Sequence, residues 1–430
     1  MIESISLSEL VDVRRHLIDP RLYPKETFYY YSMPAFDEYG QPEVVLGSQI
    51  DSSKFIIESD ALLISKLNPR IKRVWRVQND GLLRSICSTE FVDVVPKNLQ
   101  TTDFLFQLLL SDNIYRILER NAEGTTNSHV RYKPSLLVNI TLDSGPEKQD
   151  WPYIANALSS LDRQIEQTET LIAKYQQIKA GLMQDLFTRG VTPDGHLRPT
   201  RTQAPHLYKD SLLGWIPKEW EVKRLGVILK ECGGYLQTGP FGSQLHAHEY
   251  EHEGVPVVMP QDINDGVISI DQIARIVERK AEELFRHRMR VGDVVIARRG
   301  ELSRAAAIDD SHEGWLCGTG CFVLRLGRNA LHSDFAACVY RHDLIQRQIA
   351  GVAVGTTMPS LNNTVMERLF FPLCDPEEQL RITERLDNFD QLLWFTQSRV
   401  SKLRQQKQGL MQDLLTGRVR VKVAESEKTA

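Results

Sequence analysis

The clearest hydrophobic pattern in the chain is helical and occurs twice. From residue 151 to 191, and again from 376 to 417, apolar side chains recur at spacings of three and four. Gly181–Leu186 is repeated letter for letter as Gly409–Leu414, an offset of 228 residues. A run of roughly 35 such residues makes a helix of about 50 Å, longer than a compact domain needs. The pattern therefore predicts two long helices that pair as a coiled coil.

Short apolar, β-branched runs precede each long helix and are broken by Gly, Pro and Asn, which predicts strands. An aspartate and an apolar run mark the same place in both halves, at Asp60–Ile64 and Asp293–Ala297. A Gly-Thr-Thr turn then follows, at Gly124–Thr126 and at Gly355–Thr357. The order of these marks predicts a duplicated architecture, in which each half is a mixed α/β globule followed by one long helix.

These patterns divide the chain into six segments. We predict a first globular domain over residues 1–150 and a central long helix over 151–191, followed by a linker over 192–212. A second globular domain covers 213–375, a second long helix 376–417, and a tail 418–430. Gly190 and Gly417 are expected to end the two long helices.

Composition narrows the class of protein. A hydrophobic content of 42% with 25% charged residues is that of a globular protein. No run of eighteen apolar residues and no signal peptide is apparent, so we expect a cytoplasmic protein without membrane association. The six cysteines are scattered, mostly within apolar runs, and are expected to be reduced core thiols.

The net charge of −4 does not indicate a generally basic DNA-binding protein, so local clusters matter more. Five cations with no acidic residue among them lie between Lys66 and Arg76, and a second cluster lies between Arg298 and Arg304. Each cluster follows the Asp-marked strand of its half. Such clusters are typical of solvated faces as well as of DNA contacts, and their matched positions favour DNA.

Several motifs resemble those of the specificity subunits of type I restriction–modification systems, in the same order along the chain. They are Leu213–Trp220, Gln237–Ser243, Val257–Pro260, Gly292–Val295 and Gly355–Leu361, followed by Pro376, Glu378 and Gln379 before the last helix. The first half lacks the Trp-Ile-Pro and Gly-Pro-Phe-Gly elements. The resemblance implies two target recognition domains related by a pseudo-two-fold axis and joined by two antiparallel helices.

The resemblance also implies a function and partners. Each recognition domain would read one half of a bipartite double-stranded DNA target, and the helices would set the spacing and dock two methyltransferase subunits and restriction or translocase subunits. S-adenosylmethionine and ATP would then belong to those partners, with no cofactor in this chain. The complex would serve DNA methylation and phage defence.

Candidate DNA contacts are side chains able to reach phosphates or groove edges from loops. Glutamines can pair with adenine edges, and the Gly-Thr-Thr turns can offer hydroxyls to phosphates or simply cap the next segment. The predicted contacts are Lys66, Arg70, Lys72, Arg73, Thr125, Thr126, Gln237, Gln244, Arg298, Arg299, Arg304, Thr356 and Thr357.

The sequence does not contain the motifs that the competing enzyme classes need. The chain has neither a methyltransferase Asn-Pro-Pro-aromatic motif nor a phosphate-binding Gly-x-x-x-x-Gly-Lys-Ser/Thr loop, so we predict no catalytic residues. Asp262 with Glu278–Lys280 imitates a nuclease spacing but falls in a predicted helix. His246, His248 and His252, and Cys317 with Cys321, lack second ligand pairs, so no metal site is predicted. The alternative function is a protein-interaction module with a coiled-coil dimerisation device.

Overall fold

The computed structural model describes residues 3–124, 130–327, 331–352 and 360–421. The chain forms two compact units. Unit 1 comprises Met1–Leu171 and Thr396–Ala430, and unit 2 comprises Ile172–Phe395. Each unit therefore contains one globular region together with one half of each long helix.

The described part of unit 1 is built from eleven strands and five short helices. The strands are β1 Glu3–Ser6, β2 Val11–Arg14, β3 Leu17–Ile18, β4 Thr27–Tyr31, β5 Glu43–Leu46, β6 Lys54–Ile57, β7 Ala61–Ser65, β8 Val74–Val77, β9 Arg84–Cys87, β10 Phe91–Pro96 and β11 Thr141–Gly145. The short helices are α1 Leu7–Leu10, α2 Met33–Glu38, α3 Thr102–Leu109, α4 Asp112–Arg120 and α5 Pro134–Val138. A four-stranded sheet has the order β2-β10-β7-β8, and a five-stranded sheet the order β3-β6-β9-β4-β5.

The described part of unit 2 has its own sheets and short helices. Its strands are β12 Tyr208–Ser211, β13 Gly214–Pro217, β14 Glu221–Arg224, β15 Tyr235–Thr238, β16 Val255–Val258, β17 Ile263–Asn264, β18 Val267–Ile268, β19 Ala274–Ile276, β20 Asp293–Ala297, β21 Ala305–Ala307, β22 Leu316–Cys317, β23 Cys321–Arg325 and β24 Phe370–Leu373. Its short helices are α7 Leu225–Cys232, α8 Glu278–Glu283, α9 Ser333–Arg341, α10 Asp343–Val352 and α11 Asn363–Arg368. The largest sheet has the order β15-β23-β20-β21.

The four-stranded sheets of the two units have the same topology. In unit 1, strand β7 lies between β10 and β8, and in unit 2, strand β20 lies between β23 and β21. Every pairing in the two sheets is antiparallel. All five residues of β7 and of β20 are buried. A pair of short helices then follows each sheet, α3 and α4 in unit 1 and α9 and α10 in unit 2. The predicted mixed α/β fold with an internal duplication is confirmed.

The long helices are α6, Trp151–Arg189, and α12, Pro376–Leu414. Each has 39 residues and is therefore about 58 Å long. Within unit 1, Lys407 Nζ lies 2.5 Å from Asp162 Oδ1 and Arg404 lies 2.5 Å from Glu169. The residue numbers along α12 therefore decrease as those of their partners along α6 increase. The two helices are antiparallel, as predicted.

Unit 2 contains the counterpart of the Asp162–Lys407 ion pair. At the offset of 228 residues, Asp162 corresponds to Asp390 and Lys179 corresponds to Lys407. Lys179 forms an ion pair with Asp390, and only 7% of its side chain is exposed. The repeated lysine therefore occupies a buried seam position because the repeated aspartate of the opposite helix neutralises it.

A buried ion pair fixes the end of α6 against the start of α12 within unit 2. The Glu378 carboxylate accepts hydrogen bonds from Arg198 Nη1 at 2.5 Å, from Trp220 Nε1 at 3.1 Å and from the Val191 amide at 2.7 Å. The Arg198 and Glu378 side chains are 10% and 5% exposed. Gly190, with φ of +65°, leaves no room for a Cβ beside this pair.

A buried aspartate makes the stability of unit 1 depend on pH. Asp93 in β10 is 2% exposed, and no described group donates a hydrogen bond to its Oδ1. Burial raises the pKa of Asp93 from its usual value to about 7, against the attraction of Arg14. Between pH 4 and 7 the Asp93 carboxyl group is protonated in the native state and ionised in the unfolded chain. The free energy of unfolding therefore falls as the pH rises through this range.

Asp93→Asn is therefore expected to raise the free energy of unfolding at pH 8 by roughly 1–3 kcal/mol and to have little effect at pH 5. Urea denaturation of both proteins at the two pH values measures the difference. Asp12→Asn, on the neighbouring β2, where the carboxylate is 66% exposed, is the matched control and should show no such contrast. Equal stability of Asp93→Asn and the wild type at pH 8 would contradict the prediction.

Candidate nucleic-acid interface

In unit 1 the chain that leaves β7 pairs with a distant segment. The Asn68 amide donates to Val130 O at 2.7 Å and the Tyr132 amide donates to Lys66 O at 3.3 Å. Leu67 and Arg131 form a β-bridge. Residues 66–68 therefore lie alongside residues 130–132, which follow the first Gly-Thr-Thr motif of the sequence by a few positions.

Unit 2 repeats this pairing at the equivalent place. Arg299 forms a β-bridge with Ser360, and the Leu361 amide donates to Arg298 O at 3.0 Å. Arg298 Nε donates in return to Leu361 O at 3.0 Å. The segment that leaves β20 therefore lies alongside residues 360–361, which follow the second Gly-Thr-Thr motif of the sequence.

The structure thus brings two independently predicted features together in each unit. The start of a basic cluster lies against the segment that follows a Gly-Thr-Thr motif in the sequence, and backbone hydrogen bonds fix the contact. We call these places strand-end site 1 (residues 66–68 and 130–132) and strand-end site 2 (residues 298–299 and 360–361). The predicted contacts Thr125, Thr126, Thr356 and Thr357 lie outside the described residues.

Most cations of the first cluster are paired with carboxylates. Arg70 binds Glu119, Lys72 binds Asp112, Arg73 binds Asp37 and Arg76 binds Asp103. Each partner is 27 or more residues away in the chain, which is why the sequence window shows no acidic residue. The positive charge that suggested DNA contact is therefore largely neutralised locally, although exposed ion pairs of this kind are weak.

Lys66 differs from the rest of its cluster. It lies in strand-end site 1, is partly exposed, and has no carboxylate within ion-pair distance among the described residues. Lys72 instead turns toward α4, where its Nζ also donates to Leu110 O at 2.9 Å. Of the predicted first-domain cations, Lys66 is thus the one best placed to reach a phosphate or a base.

Arg299 is the exposed cation of strand-end site 2. In the register of the two pairings, Arg298 corresponds to Lys66 and Arg299 corresponds to Leu67. The Arg299 side chain is exposed, and within the described part of the chain no carboxylate pairs with it. Arg304 is paired with Glu301 and also donates to the Pro260 and Gln261 carbonyls. The guanidinium of Arg298 lies over the Phe322 ring in addition to its bond to Leu361. Arg298 and Arg304 therefore support the local structure.

The two predicted glutamines are partly engaged within unit 2. Gln237 Nε2 lies 3.2 Å from His287 Nδ1, and Gln244 Oε1 accepts the Phe241 amide at 3.0 Å. Burial lowers the pKa of His287, which favours its neutral ring as a hydrogen-bonding partner. Gly239 is required because an added Cβ would lie 1.8 Å from Gly318 O. The Gly239–Gln244 loop is thus held close to the backbone of the neighbouring segment.

The nuclease-like spacing does not form a cation site. Asp262 caps its own turn by accepting the Met259 amide at 2.8 Å, while Glu278 begins α8 and pairs with Arg288. Cys317 and Cys321 are buried in an apolar cluster, and burial raises both of their thiol pKa values. In residues 3–124, 130–327, 331–352 and 360–421, no group of three or more His, Cys, Asp or Glu side chains is arranged to hold a metal ion.

Sequence reasoning missed the partner strands of the two sites. Residues 130–132 and 360–361 carry no distinctive chemistry, yet each follows a Gly-Thr-Thr mark by a few positions. An alignment of the two halves of the sequence after the Gly-Thr-Thr motifs would have indicated that residues 130–132 and 360–361 are equivalent. Such an alignment does not show that these residues pair with the ends of β7 and β20.

Comparison with known proteins places this duplicated fold in a class. Residues 217–404 match the model of the type I restriction modification DNA specificity domain. The chain is 24% identical over 385 residues to the type I restriction enzyme MjaVIII specificity subunit of Methanocaldococcus jannaschii, covering 86% of this chain and 84% of that protein. It is also 24% identical over 327 residues to the putative MjaX specificity subunit of the same organism, covering 74% and 68%.

Solved structures share the fold over nearly the whole chain. The type I restriction–modification S subunit from M. genitalium aligns with a TM-score of 0.57 at 15% identity, covering 96% of each chain. A chain from a study of complex assembly and conformational transition in a type I system aligns with a TM-score of 0.55 at 20% identity, covering 97% and 98%. The chain is thus similar in sequence to type I DNA specificity subunits over most of its length, and it shares the fold of the solved S subunit.

In the described part of the chain, no helix combines the length and apolar character needed to cross a lipid bilayer. The long helices α6 and α12 are interrupted by charged residues at short intervals, including the ion-paired Asp162, Lys179, Asp390 and Lys407.

Proposed function

We propose that this chain reads a bipartite DNA target, with each recognition domain contacting one half-site through its own strand-end site. The observation that carries the proposal is the recurrence of one arrangement in both units. In each unit a buried strand of a four-stranded antiparallel sheet leads to a cation, Lys66 or Arg299, that no carboxylate of the described residues pairs with. This cation lies beside the segment that follows a Gly-Thr-Thr motif in the sequence. Two equivalent reading sites suit a target with two separate half-sites.

The long antiparallel helices suit the role of a ruler between the domains. Their seam is fixed by repeated ion pairs within each unit, Asp162 with Lys407 and Lys179 with Asp390. A rigid connection is needed because contacts with separated half-sites demand a constant spacing. We propose that the helices also dock the methyltransferase and the restriction or translocase subunits.

An exposed aromatic pair on α12 supports the docking role. Trp394 and Phe395 are 62% and 63% exposed, and their rings form an edge contact at 5.0 Å. Aromatic side chains that remain in water on a helix surface are characteristic of protein contact sites. In this proposal the chain works in the cytoplasm and carries no catalytic centre, and S-adenosylmethionine and ATP bind the partner subunits.

The proposed function is tested by sequencing the methylome of the host with and without this gene. Deletion is expected to abolish methylation at one bipartite motif and to leave other methylated motifs unchanged, because the partner methyltransferase would lose its only guide to that motif. Complementation with the intact gene is the control and should restore the motif. An unchanged methylome in a strain whose partner methyltransferase is expressed would overturn the proposal.

A further inference from the structure

Each unit contains a cavity at the end of one long helix. The unit 1 cavity has a volume of about 730 Å³ and lies between the last turns of α12, the start of α4 and β11. The unit 2 cavity has a volume of about 360 Å³ and lies between the last turns of α6, the start of α10 and the β12–β13 hairpin. Neither cavity contains a residue of strand-end site 1 or 2.

The two cavities are lined by the same residues at equivalent positions. Gln412 and Thr416 line the unit 1 cavity, and Gln184 and Thr188, at the offset of 228, line the other. The facing wall is equivalent as well, since Asp112 and Arg116 of α4 correspond to Asp343 and Arg347 of α10. The duplication therefore reproduces a glutamine, a threonine, an aspartate and an arginine in each cavity.

The local structure of these residues is also reproduced. Thr188 Oγ1 donates to Gln184 O at 2.7 Å, and Thr416 Oγ1 donates to Gln412 O at 2.5 Å. On the facing helices, Ile114 and Ile345 are fully buried and hold α4 and α10 against the cores of their units. Gln184 and Gln412 are exposed, so packing between the long helices does not account for their identity.

Cations outnumber carboxylates among the residues that line each cavity. In unit 1, Lys72 pairs with Asp112, Arg404 with Glu169 and Lys407 with Asp162, which leaves Arg116 and Arg418 without a carboxylate partner among the described residues. The hydrogen bond from Lys72 lowers the pKa of Asp112, so this carboxylate is ionised at neutral pH. The unit 2 cavity is lined by Arg189, Arg201 and Arg347. Arg189 pairs with Asp185 and Arg347 forms an exposed pair with Asp343 at 3.3 Å, which leaves Arg201 without a carboxylate partner among the described residues.

Some of these cations keep free hydrogen-bonding capacity. Arg116 and Arg418 are exposed and have no carboxylate within ion-pair distance in the described residues. Arg201 stacks on Trp215 with its guanidinium 4.1 Å from the ring centroid, which presents the edge of the guanidinium to a ligand. His342 adds no charge at neutral pH because burial lowers its pKa. An anionic ligand would therefore meet free donors in each cavity.

We infer that the two cavities are matched attachment sites for an acidic segment of one partner protein, present in two identical copies. The repeated lining explains why two copies of one segment would fit, and the cationic excess explains why that segment is acidic. The inference rests on the proposed function and deepens it, because it locates where the two methyltransferase subunits attach. DNA is disfavoured as the occupant because carboxylates and apolar side chains such as Leu108, Met411 and Leu213 share the lining.

Charge reversal in one cavity at a time tests the inference. The full chain is mixed with the separately purified methyltransferase subunit of the same system, and the complexes are weighed by native mass spectrometry. Arg116→Glu and Arg347→Glu are each expected to weaken binding of one copy at least about tenfold, so that the two-copy complex gives way to a one-copy complex. The double variant should bind neither copy at concentrations that saturate the wild type.

Matched controls use exposed arginines outside the cavities. Arg120→Glu lies one turn beyond Arg116 on α4, and Arg279→Glu changes a 90% exposed side chain on α8. Both should retain two copies.

The outcomes separate the inference from the proposed function. If the wild-type complex binds its bipartite target but both reversed variants retain two copies, the cavities are not the attachment sites and the proposed function stands. If the reversals instead lower DNA affinity and flatten its salt dependence without changing the subunit count, DNA is the occupant and the inference is overturned. If the wild-type complex shows no preference for a bipartite target, the proposed function itself fails.

Discussion

Replacing Glu378 with alanine is expected to lower the free energy of unfolding of unit 2 by about 3–5 kcal/mol. The carboxylate receives Arg198, Trp220 Nε1 and the Val191 amide in a site where both charged side chains are at most one-tenth exposed. Removal leaves the buried guanidinium with only the longer ion pair to the exposed Glu219, at 3.7 Å, and leaves two buried donors without an acceptor. Removal of one partner of a buried ion pair lowers the free energy of unfolding by far more than the intact pair contributes to it.

The neighbouring residue supplies the control. Glu377 is 84% exposed and pairs with Arg381 at 3.5 Å on the surface of α12. Glu377→Ala should cost less than about 1 kcal/mol. Urea denaturation followed by tryptophan fluorescence measures both variants, since Trp220 reports on the site directly. A Glu378→Ala variant as stable as Glu377→Ala would show that the buried network does not hold unit 2 together.

A second large effect is expected on DNA binding by the assembled complex. Arg299→Ala should weaken recognition of one half-site and Lys66→Ala recognition of the other, each by roughly tenfold. Each residue is a cation of its strand-end site whose side chain pairs with no carboxylate of the described residues, so it remains available to DNA. Loss confined to one base position, by about 1–3 kcal/mol, identifies a base contact. Loss for every sequence with a shallower salt dependence identifies a phosphate contact.

These substitutions avoid cations whose removal would disturb the fold. Arg73, with 11% of its side chain exposed beside Asp37, and Arg298, bonded to Leu361 O, are poor choices for that reason. Binding is measured on DNA panels in which one half-site is randomised at a time. Lys148→Ala and Arg279→Ala, both exposed and outside the strand-end sites, are the controls. If either variant lost affinity equally at both half-sites, the two domains would not read their half-sites independently.

The periodicity of the chain was sufficient to predict its duplicated organisation and its long helices. A 3–4 repeat of apolar residues over nearly forty positions is a local property, and α6 and α12 follow it. The strand segments Ala61–Ser65 and Asp293–Ala297 also follow from local composition, since β-branched runs bounded by breakers favour strands. Even the antiparallel seam had a signal, because Asp162, Lys179 and their repeats are complementary only when the helices run in opposite directions.

The predicted sites depended far more on tertiary structure. Arg70, Lys72, Arg73 and Arg76 appear as an uncompensated basic cluster in the sequence, yet their carboxylate partners come from distant positions on α2, α3 and α4. Charge on a folded surface depends on which segments meet there, and a linear window does not contain that information. For the same reason, only the folded chain distinguishes Lys66 and Arg299 from their neighbours.

The sequence by itself determined that this protein is built twice from one plan, because helix period, strand composition and turn residues are encoded locally. The tertiary structure decided which repeated residues meet. It placed residues 66–68 beside 130–132, and 298–299 beside 360–361, through backbone hydrogen bonds that carry no sequence signature. It also brought Gln412 to Arg116 and Gln184 to Arg347 around matching cavities. Such contacts depend on long-range packing, which fixes the position of each side chain only after the whole unit has folded.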